Sequence, residues 1–402
     1  MIFNLYKKKT YNISSSYLFW GTTIFIVLAP IFLSFNSIND FTFSRITYPG
    51  NRKDYFFTLP VSFLFFIPIM LLGLLKLNTD IEISLLFIFI LLGSINFFIN
   101  KELQIFLLLA KIAAPVLMLL GFQIYMQKKF LFLEKKNIHK VVKEYNHILI
   151  IIFVIIFFVT LISQFYTKSK FNWLIDGIVI YNYHQYFSLI FILLLGILAD
   201  NNQRYMFLLV YTLSYYLYSL TTNDTNFILL FLIGIFYLIN ILKKGYLISL
   251  SKIFNIFAIS FIFIYPFSLI IFFLYFNTFD FNLNLLSRFN VTNTFFESMN
   301  FIELLIPIKI SSYTISKYYH NEFMVITSAV GLIGTFLFYY IFFKRIWLIS
   351  RYYPYISISI SLISILSGIT ITTNLHPYTF VILSFFISYY YVLSKIKSQK
   401  FM

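Results

Sequence analysis

The stretch that decides the fold is Ile253–Phe276, Ile-Phe-Asn-Ile-Phe-Ala-Ile-Ser-Phe-Ile-Phe-Ile-Tyr-Pro-Phe-Ser-Leu-Ile-Ile-Phe-Phe-Leu-Tyr-Phe. It holds no charged residue, and its apolar side chains run all round rather than alternating. A helix needs roughly 20 such residues to cross the hydrocarbon core of a bilayer. A barrel strand would alternate with a period of two. Ile253–Phe276 therefore reads as a transmembrane helix, and the rest of the chain repeats its message. Of the 402 residues, 60% are hydrophobic and only 11% charged, against roughly 25% charged in a soluble domain. Too few charges exist to build a water-soluble surface, which excludes a soluble enzyme and a disordered chain.

Twelve stretches of this kind are expected to span: Tyr17–Phe35, Phe57–Leu75, Ser84–Ile99, Leu103–Met126, Ile148–Tyr166, Ile178–Ala199, Tyr205–Leu220, Phe227–Leu242, Ile253–Phe276, Asn321–Phe343, Tyr355–Thr373 and Tyr378–Ser394. The expected fold is all-α, a polytopic helical bundle forming a single integral membrane domain over residues 1–402. Lys7-Lys8-Lys9 precede the first stretch, which lacks a small-residue cleavage site and reads as a signal anchor. With the N-terminus inside, the inner segments carry 20 of the 30 Lys and Arg, the outer segments nine, and Lys111 falls within a span. That asymmetry is the positive-inside pattern and accounts for most of the net charge of +16 without any nucleic-acid partner. Both termini are expected in the cytoplasm. The absence of Cys excludes disulfides, iron–sulfur clusters and thiol catalysis. No cofactor and no metal are expected, since His and acidic residues are few and form no cluster in the sequence.

The longest outer segment, 277–320, contains Arg288, Glu297, Glu303, Lys309, Lys317 and His320. It is too apolar to be disordered, and Phe301–Ile306 suggests a piece lying on or dipping into the membrane. His320 at a helix mouth is able to take a proton from a hydroxyl. Arg288, a permanent cation on the same side, is suited to bidentate phosphate binding. Lys111 inside a span is a functional candidate by position. His184 with Asp176 offers a second base–orienter pair, although a plain interfacial role explains both. The basic inner loop 127–147 fits contact with anionic lipid, or simply the orientation code.

The run His320-Asn321-Glu322-Phe323-Met324-Val325-Ile326-Thr327-Ser328-Ala329-Val330-Gly331-Leu332-Ile333-Gly334 resembles the His-Asn…Gly-Leu-x-Gly signature of bacterial oligosaccharide repeat-unit polymerases of the Wzy type and of the related O-antigen ligases. Ser287-Arg288 resembles the Arg near the start of that superfamily's large outer loop. Trp173–Leu195, with Asp176-Gly177 and Tyr183-His184-Gln185-Tyr186, resembles its mid-chain segment. Two departures stand out: Thr221-Thr222-Asn223-Asp224-Thr225 lacks an Arg found there in the family, and Ala329 replaces an acidic residue.

The resemblance implies a membrane-embedded inverting glycosyltransferase using undecaprenyl-pyrophosphate-linked oligosaccharide as donor and acceptor. Its product would be O-antigen or capsular polysaccharide, made at the outer face of the bacterial cytoplasmic membrane. It further implies His320 as base, Arg288 on the leaving pyrophosphate, Asn321 orienting the His ring or a sugar hydroxyl, and Tyr319 stacking on sugar. The candidates for a second phosphate-binding cation are Lys168, Lys309 and Lys317, the alternative being that none is present, while Lys111 is placed to face the carrier phosphate or the helix break at Pro115; a chain-length regulator and a flippase are the expected protein partners. The alternatives are a ligase with the same chemistry and a polysaccharide flippase or transporter.

Overall fold

The computed structural model describes residues 67–75, most of 87–99, 103–131, 150–151, 183–221, 224–242, 246–275, 283–297, 301–306, 321–369 and 377–399. Among these the regular structure is all helical, with no strand. The helices are α1 (Ile67–Leu75), α2 (Leu103–Leu131), α3 (Tyr183–Asp200), α4 (Arg204–Thr221), α5 (Asp224–Leu242), α6 (Leu247–Tyr275), α7 (Leu283–Glu297), α8 (Phe301–Leu305), α9 (Glu322–Ile349), α10 (Pro354–Ser361) and α11 (Pro377–Gln399). A π turn, Leu362–Leu366, and a 3₁₀ turn, Ser367–Ile369, prolong α10. The expected spans Tyr17–Phe35 and Ile148–Tyr166 lie almost wholly outside the described residues.

Four of these helices are long and apolar enough to cross a membrane: those over Thr225–Leu242, Leu247–Ser268, Glu322–Ile349 and Thr379–Ser398. The chain is a helical membrane protein. Its outward faces agree, because Ile228, Phe231, Ile253, Phe257, Ile264 and Ile271 stand exposed on α5 and α6. In water so much contiguous apolar surface would drive aggregation; in lipid it is the solvated face.

α11 lies at the centre, packed against α2, α3 and α9. Lipid gives no hydrophobic push between helices, so close approach and polar contacts must hold them together. Ser384 and Ser388 of α11 donate to the carbonyls of Pro115 and Leu119 in α2, at 3.2 and 2.7 Å. α1 crosses α2 through two glycines, for a Cβ on Gly73 would overlap the Leu117 carbonyl and one on Gly121 the Ile69 carbonyl. α3 meets α10 at Gly196, whose missing side chain leaves room for Ser359.

One end of the bundle gathers basic residues around a buried carboxylate. The Asp200 carboxylate accepts the backbone N–H groups of Tyr355 and Ile356 at 3.2 and 2.8 Å, tying the end of α3 to the start of α10. Lys397 stands over the Tyr353 ring at 4.1 Å, and Lys252 over Trp347 at 5.7 Å. Arg204, Lys252, Arg351, Lys395 and Lys397, all assigned to the inner side from sequence, thus share one end of the bundle, its basic end.

Two expectations change. The segment 277–320 is not simply a loop, since it contains α7 and α8. Arg345 is not an inner-loop charge. It lies within α9 and is buried, donating from Nε and Nη2 to Gln123 Oε1 at 3.2 and 3.0 Å and from Nη1 to the Ile341 carbonyl at 2.9 Å. The Tyr391 ring lies 5.6 Å from its guanidinium carbon.

Candidate functional site

The site follows from how α9 is built. Asn321 takes an extended conformation, φ −135° and ψ 108°, and its Oδ1 accepts the Met324 N–H at 3.2 Å. This is an N-cap, satisfying a donor that the first helical turn leaves unpaired. Glu322 follows as the first helical residue, where a negative charge favours the helix dipole. Nine residues later Gly331 has φ 72° and ψ 174°, a backbone that essentially only glycine adopts, and the helix breaks there.

The break is a fold-back. Tyr339 Oη donates to Glu322 Oε1 at 2.9 Å. In a straight helix the Cα atoms of these residues would be about 25 Å apart. The two side chains and their hydrogen bond span at most about 13 Å. Thr327 and Thr335, each four residues from Gly331, also meet, with hydroxyls 3.0 Å apart. Phe263 of α6 touches both limbs, with its ring centroid 5.6 Å from Phe323 and 6.0 Å from Phe336. Two arms of about 13 and 12 Å that bring Glu322 to Tyr339 enclose an angle below roughly 60°. So α9 is a helical hairpin: a short arm, 322–330, and a long arm, 332–349. Where the sequence suggested one uninterrupted helix from Asn321 to Phe343, the segment folds back on itself at Gly331.

Glu322 consequently lies inside the bundle, fully buried. By helix rise it sits about 15–20 Å from the basic end. The interrupted helix beyond α10 packs against it. In the π turn the Ser367 N–H reaches back to the Leu362 carbonyl, and the Ile363 carbonyl it would otherwise bond is taken by the Ser367 hydroxyl. Ser364 likewise donates to the Ile360 carbonyl at 2.7 Å. The next residue, Gly368, faces Glu322: a Cβ built on it would lie 3.5 Å from Oε1.

Other polar groups are used structurally. Asn255 of α6 donates to Ser357 and accepts from Ser361, both at 2.7 Å, joining α6 to α10. At the basic end the Asp200 carboxyl is pushed up to about 7 by burial, against the pull of the Ile356 and Tyr355 N–H groups and of Lys397.

Of the residues singled out from sequence, Asn321 alone has a described side chain, and that side chain caps α9. Arg288 falls on α7, Lys111 on α2 and His184 at the start of α3. Asp176, Lys309, Lys317, Tyr319 and His320 lie outside the described residues. α7 and the short arm of α9 both pack on α6. Phe267 contacts Phe296 of α7 at 5.0 Å, and Phe263, one turn away, contacts Phe323 at 5.6 Å. Glu322 is a buried charge that the sequence alone does not single out, since Lys111 stands there as the one clearly intramembrane charge. An acidic residue opening an apolar run was the available signal.

A helix N-terminus buried in a membrane bundle, with a carboxylate in its first turn, is suited to holding charge and moving protons. Compared with protein-family models, curated proteins and solved structures, the chain gives no match.

Proposed function

We propose that the chain is a membrane-embedded inverting glycosyltransferase that joins lipid-pyrophosphate-linked oligosaccharide repeat units into O-antigen or capsular polysaccharide. In this reading it works at the outer face of the bacterial cytoplasmic membrane, with about 12 spans and both termini inside. One observation carries the proposal. The residues of the His320-Asn321…Gly331 pattern coincide with the parts of the α9 hairpin: Asn321 is its cap and Gly331 its fold. His320 directly precedes that cap, so the pattern delivers a base to a helix N-terminus, where an anion is favoured. Arg288 rides on α7, which packs on the same helix, α6, as the hairpin.

The chemistry needs two groups. His320 takes the proton of the acceptor hydroxyl as its oxygen bonds to the anomeric carbon. The bond from that carbon to the phosphate oxygen breaks, and its electron pair leaves on the pyrophosphate. Arg288 stabilises that developing charge, the largest electrostatic demand of the step. Lys309, Lys317 and Lys111 are the candidates for further positive charge, Tyr319 for stacking on sugar, and His184 with Asp176 for a second base–orienter pair. An O-antigen ligase shares this chemistry with another acceptor.

A flippase is the second reading, supported by the interrupted helices beside Glu322, a feature of transporters. The test is surface glycan length by gel in a strain lacking the gene, complemented at matched membrane levels. Wild type is expected to restore a ladder, with His320→Ala and Arg288→Ala leaving single repeat units, a loss of about 10²-fold or more. Full ladders from both variants refute these roles. Glycan attachment that depends wholly on wild type moves the assignment to ligase or flippase.

A further inference from the structure

We propose that the seam between α6 and the long arm of α9 binds one anionic phospholipid, its headgroup phosphate on Lys252 and Lys344 and an acyl chain along Phe336, Tyr340 and Phe343. This inference does not rest on the glycosyltransferase reading.

The seam follows from two contacts. At the basic end Lys252 of α6 stands over the Trp347 ring at 5.7 Å. Further along, Phe263 of α6 meets Phe336 of α9 at 6.0 Å. The two contacts are separated by the same stretch of helix on each side, and they come in opposite order along the chain. α6 and the long arm are therefore antiparallel neighbours over about 16 Å. Along this seam α9 presents an aromatic stripe. Phe336 stacks with Tyr340 at 6.4 Å, and Phe343 tilts against Trp347 at 5.7 Å. Phe336 is exposed, while Tyr340, Phe343 and Trp347 are half-buried. On the α6 side Ile256, one turn after Lys252, is exposed as well. Rings bordered by an aliphatic side chain make an apolar floor for an acyl chain.

Charge selects the headgroup. α6 is long and apolar enough to cross a membrane, and Lys252, in its second turn, is the only charged residue it contains. A Lys near the end of such a helix extends its ammonium towards the headgroups, and Trp is enriched at the same level. Lys344 stands exposed one turn before Trp347 and on the same face of α9. Among the described residues neither lysine pairs with a carboxylate. A zwitterionic headgroup would bring a cation of its own to these two ammonium groups. An anionic headgroup brings only the phosphate charge that they attract, and basic sites between membrane helices hold such headgroups. The aromatic stripe separates a phospholipid from free phosphate, which has no chain to lay along it.

The experiment uses Trp347 as the reporter. The chain has three Trp, and Trp20→Phe with Trp173→Phe leaves Trp347 as the sole fluorophore. The full chain carrying both changes is reconstituted in phosphatidylcholine bilayers. These are titrated with phosphatidylglycerol, or with phosphatidylcholine, brominated on the acyl chain near the headgroup. Phosphatidylglycerol should quench Trp347 half-maximally at a mole fraction lower by about five-fold or more, the effect of about one lysine near a charged surface. Lys252→Gln with Lys344→Gln should bring the two lipids together. Arg204→Gln, which removes a charge from the basic end away from the seam, should leave the preference intact. Equal quenching by both lipids in the parent chain refutes the site, as does a preference that survives the double lysine change. A preference lost as fully with Arg204→Gln also refutes it, leaving only diffuse attraction to the basic end. No quenching by either lipid means that protein covers the seam. Native mass spectrometry of the unaltered chain in detergent guards against misfolding of the tryptophan variant. The first phosphatidylglycerol should bind at a concentration about five-fold or more below the first phosphatidylcholine, and equal binding overturns the proposal. Neither readout measures glycan synthesis, so failure here is separable from failure of the ladder assay.

Discussion

α5 and α6 on one side and α9 and α11 on the other are built to opposite rules. A third of the spanning stretch of α5 or α6 is buried, against 72% for α9 and 89% for α11. The exposed pair turn Ile and Phe outward and keep their amides inside, with Asn226 and Asn255 fully buried. The buried pair carry the polar groups: Glu322, Thr327, Thr335 and Arg345 in α9, and Ser384 and Ser388 in α11. The lesson is that apolarity in this chain reports contact with lipid, while polarity marks where helices must recognise one another. The fold-back at Gly331 and the buried charges Glu322 and Arg345 all fall in the second pair.

The difference is most sharply testable at glycine. Gly331→Val should be the most damaging single substitution in either pair of helices. A β-branched residue at φ 72° is a genuine outlier, and strained backbone of this kind costs on the order of 1–3 kcal/mol before any packing is lost. Unfolding temperature in detergent and protease sensitivity near residue 331 would both register it. Gly234→Ala on α5 is the matched control. A Cβ there first meets the end of the Tyr211 side chain, at 2.6 Å, which is free to swing away. Equal losses at both glycines would refute the fold-back.

Next comes the buried cation. Gln123→Leu removes an acceptor that takes two guanidinium N–H groups of Arg345. Leaving buried donors unsatisfied costs about 1–3 kcal/mol, more when they are charged. Denaturation of the variant should show that loss, whereas Lys252→Ala at the exposed basic end should stay within about 0.5 kcal/mol. If the two are alike, Arg345 is solvated and its burial is not structural.

The pH response is smaller and local. Asp200 has a folded pKa of about 7, raised above its ordinary value of 3.8. The fold therefore favours the protonated carboxyl. Its stabilising contribution is complete below the unfolded value and is lost as pH rises through about 7. Wild type should lose stability between roughly pH 4 and 7 from this group, and Asp200→Asn should flatten that part of the profile. A profile in wild type that rises over this range would mean that the Tyr355 and Ile356 N–H groups, with Lys397, outweigh burial.

The membrane class and most helix positions were legible because lipid demands long uncharged runs. The run Ile253–Phe276 anticipates α6, and Leu103–Met126 anticipates α2 apart from a further turn. The hairpin was not legible. Gly331-Leu332-Ile333-Gly334 also reads as small residues for helix packing, and nothing local requires a positive φ. Thr327 and Thr335 are equidistant from Gly331, a symmetry that means something only after the fold is known. Arg345 was hidden by its neighbour Lys344, since paired basic residues look like a loop. Its partner Gln123 is 222 residues away, beyond any local pattern. Of the candidate site, sequence offered the cap and the turn as motif letters, and missed the carboxylate between them.

The smallest effect belongs to the lipid face, and it tests the premise of the whole contrast. Phe231 is 62% exposed on α5, while Phe122 is fully buried in α2, edge-on to Phe385 at 5.5 Å. In a bilayer both side chains have apolar surroundings before and after folding of the bundle, so exposure to lipid is not a penalty. What Phe122 gains is close packing, worth about 0.5–1.5 kcal/mol for an aromatic pair beyond area. Phe231→Leu should therefore change unfolding by less than about 0.5 kcal/mol, and Phe122→Leu by about 1 kcal/mol or more. Replacing Phe231 by Asp supplies the complementary arm: a charge on a face that meets lipid should block membrane insertion or displace the helix. If Phe231→Asp is tolerated as readily as Phe231→Leu, that face of α5 does not meet lipid. It would then be covered by protein, and the division of the helices into two pairs would fail.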